Sequence, residues 1–365
     1  MTHQRPVFVS ARFRSGSTML WHLLRQLDGV TAFYEPCHDN LCAHVRSATP
    51  VQDSHRGVTS YWDEYAPLMD RLPALHANAF GASRLHLEAD DAWPAFERYL
   101  RFLIASTRPR RAALQMNRVD LRLPWLRARF PEALVVHLVR NPRDQWLSMV
   151  AGEPDATLGD PDENTAYDLL LWAVSLAGDF PFLVGPHIRH SYERHYLIWR
   201  LSAWMGARCS HVSLSYDDLV ADPCTGLTIL VDALGVSRNW LPRLAAGVTP
   251  GRAAARAAAP SPAAFTRMEA GCDALLERLG CAEGLGRVPL AEIRASHGAA
   301  WAPYIDGAPR EAARLAATMF SRFRSHYLDT VHAMRQLAVN ARNVEAALAR
   351  RERELRALRG RAGAA

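Results

Sequence analysis

Val7, Phe8 and Val9 begin the chain's pattern with a short apolar run of β-forming residues, the mark of a strand buried on both faces. From Met19 the apolar positions change period, and Met19, Leu20, Leu23, Leu24 and Leu27 recur at helical spacing. "AALQM" at 112–116 and "HVSLSY" at 211–216 predict two further strands, and "ALVVHLV" at 133–139 is the strongest buried-strand signal in the chain. Between and after them the period is helical. Trp93, Phe96, Tyr99, Leu100 and Leu103 predict an amphipathic helix over 92–107, and "LPWLRARF" a short one. "RDQWLSMV" opens another helix, 165–177 and 191–206 are helical, and "PCTGLTILVDALGV" is a helix stopped by Gly235. Positions 31–90 are rich in His, Trp and Tyr and carry few long periodic runs, so they predict loops and short helices over the strand ends. Strands alternating with helices predict an α/β fold of three layers, with a central parallel sheet covered on both faces.

The pattern changes again towards the C-terminus. Gly, Ala, Arg and Pro dominate 247–264, which reads as a linker or mobile loop. Residues 308–359 contain few breakers, and apolar residues at 334, 337, 341, 344, 348, 355 and 358 fall near a heptad seam. Seven Arg and three Glu lie between 342 and 361. The expected organisation is a catalytic domain over 1–300 followed by a helical C-terminal extension over 308–365. That arm packs on its own domain, pairs with a partner as in a homodimer, or is a solvated terminal helix.

Composition narrows the class. A chain of 365 residues with 49% hydrophobic content can bury one large α/β core with additions. The net charge is +6, and there is no Lys, so all 43 basic residues are Arg. The 37 acidic residues are interspersed with them, which points to a GC-rich genome rather than to nucleic-acid binding. Arg stays charged and grips phosphate bidentately, but it is a poor general base. The six Cys form no C-x-x-C pair and fit free thiols in a reducing compartment better than disulfides or zinc. The N-terminal apolar run is too short for a signal peptide, and no 18-residue apolar stretch exists. A cytoplasmic protein with no membrane span is expected.

The candidate chemistry begins between the first strand and the first helix, in Arg12-Phe13-Arg14-Ser15-Gly16-Ser17-Thr18. A strand, a small-residue turn and a helix N-terminus form a ready anion site, because free N–H groups and the helix dipole both point at the ligand. Gly16 permits close backbone approach, Ser15, Ser17 and Thr18 bring hydroxyls, and Arg14 brings charge. A Walker A loop is excluded: Ser10 stands where its first Gly belongs and Ser17 where its Lys belongs. The order Arg-Ser-Gly-Ser-Thr directly after the first strand resembles the 5′-phosphosulfate loop of sulfotransferases that use 3′-phosphoadenosine 5′-phosphosulfate (PAPS) as donor. Lys is usual at its first place in soluble members, and Arg occurs in carbohydrate-directed ones.

"VVHLVRNPRDQWLSMV" carries the second part of the resemblance. Its Arg-Asn-Pro-Arg-Asp is similar to the family's Arg-Asp-Pro-Arg, and in the family an Arg and a Ser at the spacing of Arg140 and Ser148 hold the donor's 3′-phosphate. "HVSLSYDDLVADP" resembles the family's Tyr-Glu-Asp-Leu segment, which implies that Tyr216 lies near the adenine; Asp217 or Asp218 serves equally as a helix cap. The likeness spans roughly 7–235. It implies a P-loop-like fold, transfer of a sulfuryl group to a hydroxyl of a small-molecule acceptor, and no metal. Many soluble members place a Lys-x-His base where "QMNRVDLRLP" stands; Asn117 occupies that place here and cannot act as a base, which argues against phenol or steroid acceptors. Glu35 in "AFYEPCHDN" is the candidate base, since carbohydrate-directed and some bacterial members carry a similar Glu-Pro. His38 and Asp39 are its substitutes and candidate acceptor contacts, together with Arg118. Arg14 is the candidate cation for the leaving bridge oxygen, and the N–H groups of Gly16, Ser17 and Thr18 form the cradle. A carbohydrate or glycosylated metabolite is the expected acceptor. An ATP-dependent P-loop kinase and an inactive nucleotide-binding protein are the rivals, and the kinase is disfavoured because Arg140 stands where a Walker B Asp belongs.

Overall fold

The computed structural model describes residues 5–52, 55, 57–251, 258–321 and 324. The chain divides into two units, 1–313 and 314–365. The heptad seam and nearly all of the basic arm expected beyond 321 lie outside the described residues.

The first unit is built on a five-stranded sheet of β1 (Val7–Ala11), β2 (Val30–Tyr34), β3 (Arg111–Met116), β4 (Leu134–Val139) and β5 (Val212–Ser215), in the order β2-β3-β1-β4-β5. All four pairings are parallel, with Val7 opposite both Ala113 and Leu134, Val30 opposite Arg111 and Val136 opposite Val212. Every residue of β1 is buried, as a central strand covered on both faces requires. The expected α/β class with a central parallel sheet is therefore present, and the strand–loop–helix start gives it a P-loop-like form.

The helices that matter for the site are α1 (Ser17–Arg25), α2 (Pro94–Ser106), α3 (Leu123–Arg129), α4 (Pro142–Met149), α5 (Leu169–Leu176), α6 (Ser191–Cys209), α7 (Pro223–Leu234) and α8 (Pro262–Arg278). Leu20, Trp21, Leu23 and Leu24 give α1 its buried face, and Trp21 Nε1 donates to the Ala32 carbonyl at 2.8 Å, pinning the helix to β2. Pro142 starts α4 where its missing N–H costs nothing, and the Asn141 side chain accepts from the Arg143 amide at 3.0 Å. Gly235 closes α7 in the left-handed region at φ 64°.

Three expectations need correction. Val30–Tyr34 is a strand, although 31–90 was expected to hold only loops and short helices. The helix expected over 165–177 begins at Leu169, because Tyr167 and Asp168 both adopt left-handed backbone, with φ 48° and 61°. The last strand ends at Ser215, and Tyr216 already opens the short helix Tyr216–Ala221, which Ser215 caps by accepting from the Asp218 amide at 3.2 Å. All six cysteines are free. Among the described residues, no helix is long and apolar enough to cross a membrane.

Candidate functional site

Because all five strands run in parallel, their carboxyl ends lie along one edge of the sheet, where open α/β sheets hold their ligands. The candidate residues gather there. The Arg12–Thr18 loop follows β1, Glu35 follows β2, Asn117 and Arg118 follow β3, Arg140 follows β4, and Tyr216 follows β5.

The loop is shaped as an anion cradle. Gly16 takes φ 91°, ψ 15° at the N-cap of α1, and no side chain caps this end of the helix. No acidic residue sits in its first turn, so the leading N–H groups face outward without an internal anion. Arg14 is itself left-handed at φ 62°. The loop is fastened from below. The Ser15 hydroxyl donates to the Arg12 carbonyl at 2.6 Å, and Gln145 Nε2 donates to the Phe13 carbonyl at 2.6 Å. Ser15 thus spends its hydroxyl inside the loop and offers a ligand its backbone. Arg12 turns inward to pair with fully buried Asp120 at 3.1 Å, and its guanidinium lies 4.4 Å from the Trp172 ring. Ser17 is buried at the start of α1, and the Thr18 hydroxyl shares a hydrogen bond with the Tyr34 phenol at 3.1 Å.

Arg140 and Ser148 reach the same loop from the β4 side. Arg140 donates to the Arg14 carbonyl at 3.0 Å, and Arg14 Nε donates to the Ser148 hydroxyl at 3.0 Å. The Tyr216 ring completes this side. A Cβ built on Gly16 would stand 2.4 Å from its Cδ2 and 2.7 Å from its Cε2, so the ring presses against the glycine, and the Arg140 guanidinium sits 4.7 Å from the ring centroid. Asp217 Oδ2 accepts from the Asn141 amide at 2.7 Å and so ties the end of β5 to the end of β4. Among the described residues neither Arg14 nor Arg140 has a carboxylate within ion-pair distance. Arg140 Nε is buried without a hydrogen-bond partner among them. Two cations thus stand beside an uncapped helix end, one holding an unused buried donor, an arrangement chemically able to take up an anion.

The β2–β3 side carries the titratable groups Glu35 and His38. Glu35 is buried at φ 41°; Asn117 Nδ2 donates to its Oε1 at 2.7 Å, and Arg118 lies 3.4 Å from its Oε2. Burial pushes the Glu35 carboxyl up, against the opposing pull of Arg118, Tyr34 and Asn117, and the net shift is upward. Gln115 in turn donates to Asn117 Oδ1 at 2.6 Å, fixing which end of the Asn117 amide faces Glu35. Arg118 also pairs with Asp168 at 3.3 Å and lies 4.8 Å from the Phe13 ring. His38 donates its backbone N–H to the Glu35 carbonyl at 2.8 Å, and its Nδ1 faces the Asn40 amide at 3.1 Å and Asp39 at 3.2 Å. Burial, reinforced by the Arg118 charge, lowers His38 to about 4, which leaves it neutral at physiological pH. The wall beyond is aromatic: Tyr61 stacks on Tyr34 at 4.6 Å, and His44 stacks on Trp62 at 5.5 Å.

The sequence did not announce the parts played by Asp168, Tyr167, Gln145 and the Arg12–Asp120 pair. A visible signal existed only for Asp120, an acid flanked by the apolar residues Val119 and Leu121.

Comparison with known proteins bears on this arrangement. Residues 6–176 match the model of the sulfotransferase family. That segment holds the loop, Glu35, Arg118, Arg140, Ser148 and Asp168. No curated protein matches the chain in sequence. Solved structures similar to it include a sulfotransferase of Mycobacterium tuberculosis H37Rv, 15% identical, covering 73% of this chain and 77% of that one at a TM-score of 0.38. A sulfotransferase of Alicyclobacillus acidocaldarius is 14% identical and covers 80% of this chain and 99% of that one at a TM-score of 0.37.

Proposed function

We propose that this chain, a sulfotransferase-family member over residues 6–176, moves the sulfuryl group of PAPS to a hydroxyl of a small-molecule acceptor in the cytoplasm. The observation that carries the donor assignment is the pair of guanidinium groups, Arg14 and Arg140, that flank the uncapped N-terminus of α1 with no carboxylate of their own among the described residues. Arg140 and Ser148 would hold the 3′-phosphate, the Gly16–Thr18 amides the 5′-phosphosulfate, and the Tyr216 ring the purine. The donor supplies the sulfuryl group, its S–O bridge bond breaking as the acceptor oxygen forms a new bond to sulfur.

The chain's residues do the rest. Glu35 takes the acceptor's proton on a carboxylate that burial has made more basic, which suits a general base working on an alcohol. Asn117 keeps that carboxylate oriented through its 2.7 Å hydrogen bond. Arg14, released from Ser148, meets the charge that grows on the bridge oxygen. Interactions of this kind, strongest in the transition state, raise turnover rather than ground-state affinity. His38, neutral and turned to the Asn40 amide, and Asp39 would contact the acceptor rather than replace Glu35. A carbohydrate or glycosylated metabolite is the favoured acceptor, on the likeness of the Arg14 loop and Glu35-Pro36 to carbohydrate-directed sulfotransferases.

Thermal unfolding with nucleotides tests the donor. Adenosine 3′,5′-bisphosphate should raise Tm well above the shift given by AMP, since a ligand stabilises by RT ln(1 + [L]/Kd). Arg140→Ala should erase the difference. Equal shifts with the two nucleotides in the wild type defeat the assignment.

A further inference from the structure

The residues Tyr167 and Asp168 are left-handed one after the other, at φ 48° and 61°, and neither is glycine. For a bulky Tyr this is an uncommon and strained conformation, and it persists only where the surroundings enforce it. What it achieves is a placement. The Tyr167 ring packs 5.7 Å from the Phe13 ring and 5.6 Å from the Arg14 guanidinium. The same turn brings Asp168 Oδ2 to 3.3 Å from Arg118 Nη2, while Arg118 Nη1 lies 3.4 Å from Glu35 Oε2. Arg118 is therefore shared between two carboxylates, one buried and one with a 42% exposed side chain, and it rests at a relaxed distance from each. A guanidinium free to choose closes on a single carboxylate in a bidentate fork at about 2.7–2.9 Å.

We propose that Asp168 is a positioning residue for the acid–base step: by holding one arm of Arg118, it prevents the full guanidinium charge from settling on Glu35 and so preserves the basicity of that carboxylate. The proposal rests on the assignment of Glu35 as the base. It goes beyond that assignment by naming what tunes the base, a residue on a different element and 133 positions further along the chain.

The other groups facing Glu35 do not compete for this part. Tyr34, Tyr61 and Tyr65 are all shifted upward by burial and remain neutral phenols. Burial pushes the Cys37 thiol up to about 11, and His38 is neutral. Asn117 carries no charge. Arg118 is thus the one charged group in direct contact with Glu35 among the described residues, and Asp168 is the group that divides its charge.

The direction follows. Glu35 in the wild type titrates against a half-shared cation; with Asp168 neutral it titrates against a whole one, so its midpoint falls. The experiment is a carbon-13 NMR titration of Glu carboxyl groups in the full chain without ligands, with the Glu35 signal assigned by its loss in Glu35→Gln. Asp168→Asn should lower the Glu35 midpoint by about one pH unit, the size expected when an opposite charge nearby strengthens. Asn tolerates left-handed backbone, so the turn survives the change. Asp168→Gly, which keeps the turn by another route, should give the same shift and guards against a folding failure in the first variant. With Arg118→Met as background, Asp168→Asn should shift Glu35 little. An unchanged Glu35 midpoint in both Asp168 variants, or an equal shift without Arg118, overturns the proposal. The base assignment fails separately, if Glu35→Gln keeps near-normal turnover while the titration behaves as expected.

Discussion

Substituting Gly16 with Ala combines two penalties that can be measured apart. The residue sits at φ 91°, ψ 15°, a conformation that L side chains rarely adopt. Left-handed backbone costs a residue with a Cβ roughly 1–2 kcal/mol. The added methyl also falls 2.4 Å from Tyr216 Cδ2 and 2.7 Å from Cε2, so the ring must yield. Overpacking of this kind costs about 1–3 kcal/mol, which brings the whole to about 2–5 kcal/mol. The ring cannot move freely, because its hydroxyl accepts from the Gly251 amide at 2.6 Å and its face carries Arg140. Removing the ring in Tyr216→Ala should leave only the backbone part. Urea unfolding of the wild type, both single variants and the double variant then gives a coupling of about 1–3 kcal/mol between the two positions. If Gly16→Ala costs as much without the ring as with it, the ring contact is not what demands glycine here. The same substitution should weaken adenosine 3′,5′-bisphosphate binding, since displacing the ring disturbs Arg140.

Two further outcomes can be checked independently. Burial pulls His86 down, but Asp179 and Glu88, at 3.6 Å and 3.4 Å, overcome it and raise the ring to about 9. A folded-state value above the unfolded one stabilises fully below the unfolded value and is lost as pH rises through about 9. His86→Gln should therefore lower the urea midpoint at pH 6 and change it little at pH 10; an equal loss at both would refute the ion pairing. Turnover should be unaffected by EDTA and not raised by magnesium, followed as released adenosine 3′,5′-bisphosphate; a magnesium requirement with ATP as donor would move the chain to phosphoryl transfer.

How far the sequence disclosed this molecule depended on the range over which each feature is encoded. β1, β3 and β4 are legible because a strand covered on both faces is mostly apolar over its short length, and β5 because Val212 and Leu214 alternate with Ser213 and Ser215. β2 was missed although Val30, Thr31, Phe33 and Tyr34 are β-formers bounded by Gly29 and Pro36. Its five residues are submerged in a longer stretch of mixed aromatics that hides their period. The donor-side candidates were legible because a phosphate cradle is a local motif that needs a turn, a glycine and a helix start within a few residues. Asp168 was not, because its contact with Arg118 crosses 50 positions and its turn lies beside an apolar run whose helical period draws the predicted start upstream of Leu169. The hydrogen bond of Asn117 to Glu35 spans 82 positions and is likewise a tertiary contact that no local pattern encodes.

The central place of β1 has a consequence for how such a chain can diversify. The loop that follows it has β4 and β5 on one flank and β3 and β2 on the other. Arg140, Ser148 and Tyr216 stand on the first flank, and Glu35, Asn117, Arg118 and the aromatic wall of Tyr34 and Tyr61 on the second. The two groups rest on different strands and meet only over the loop. Under the proposed function, mutations can accumulate on the β2–β3 flank, altering the molecule that is modified, while the apparatus that grips the nucleotide keeps its foundations. Inherited drift in acceptor preference should therefore be recorded in residues 31–118, and constancy of the donor in 134–148 and 212–216.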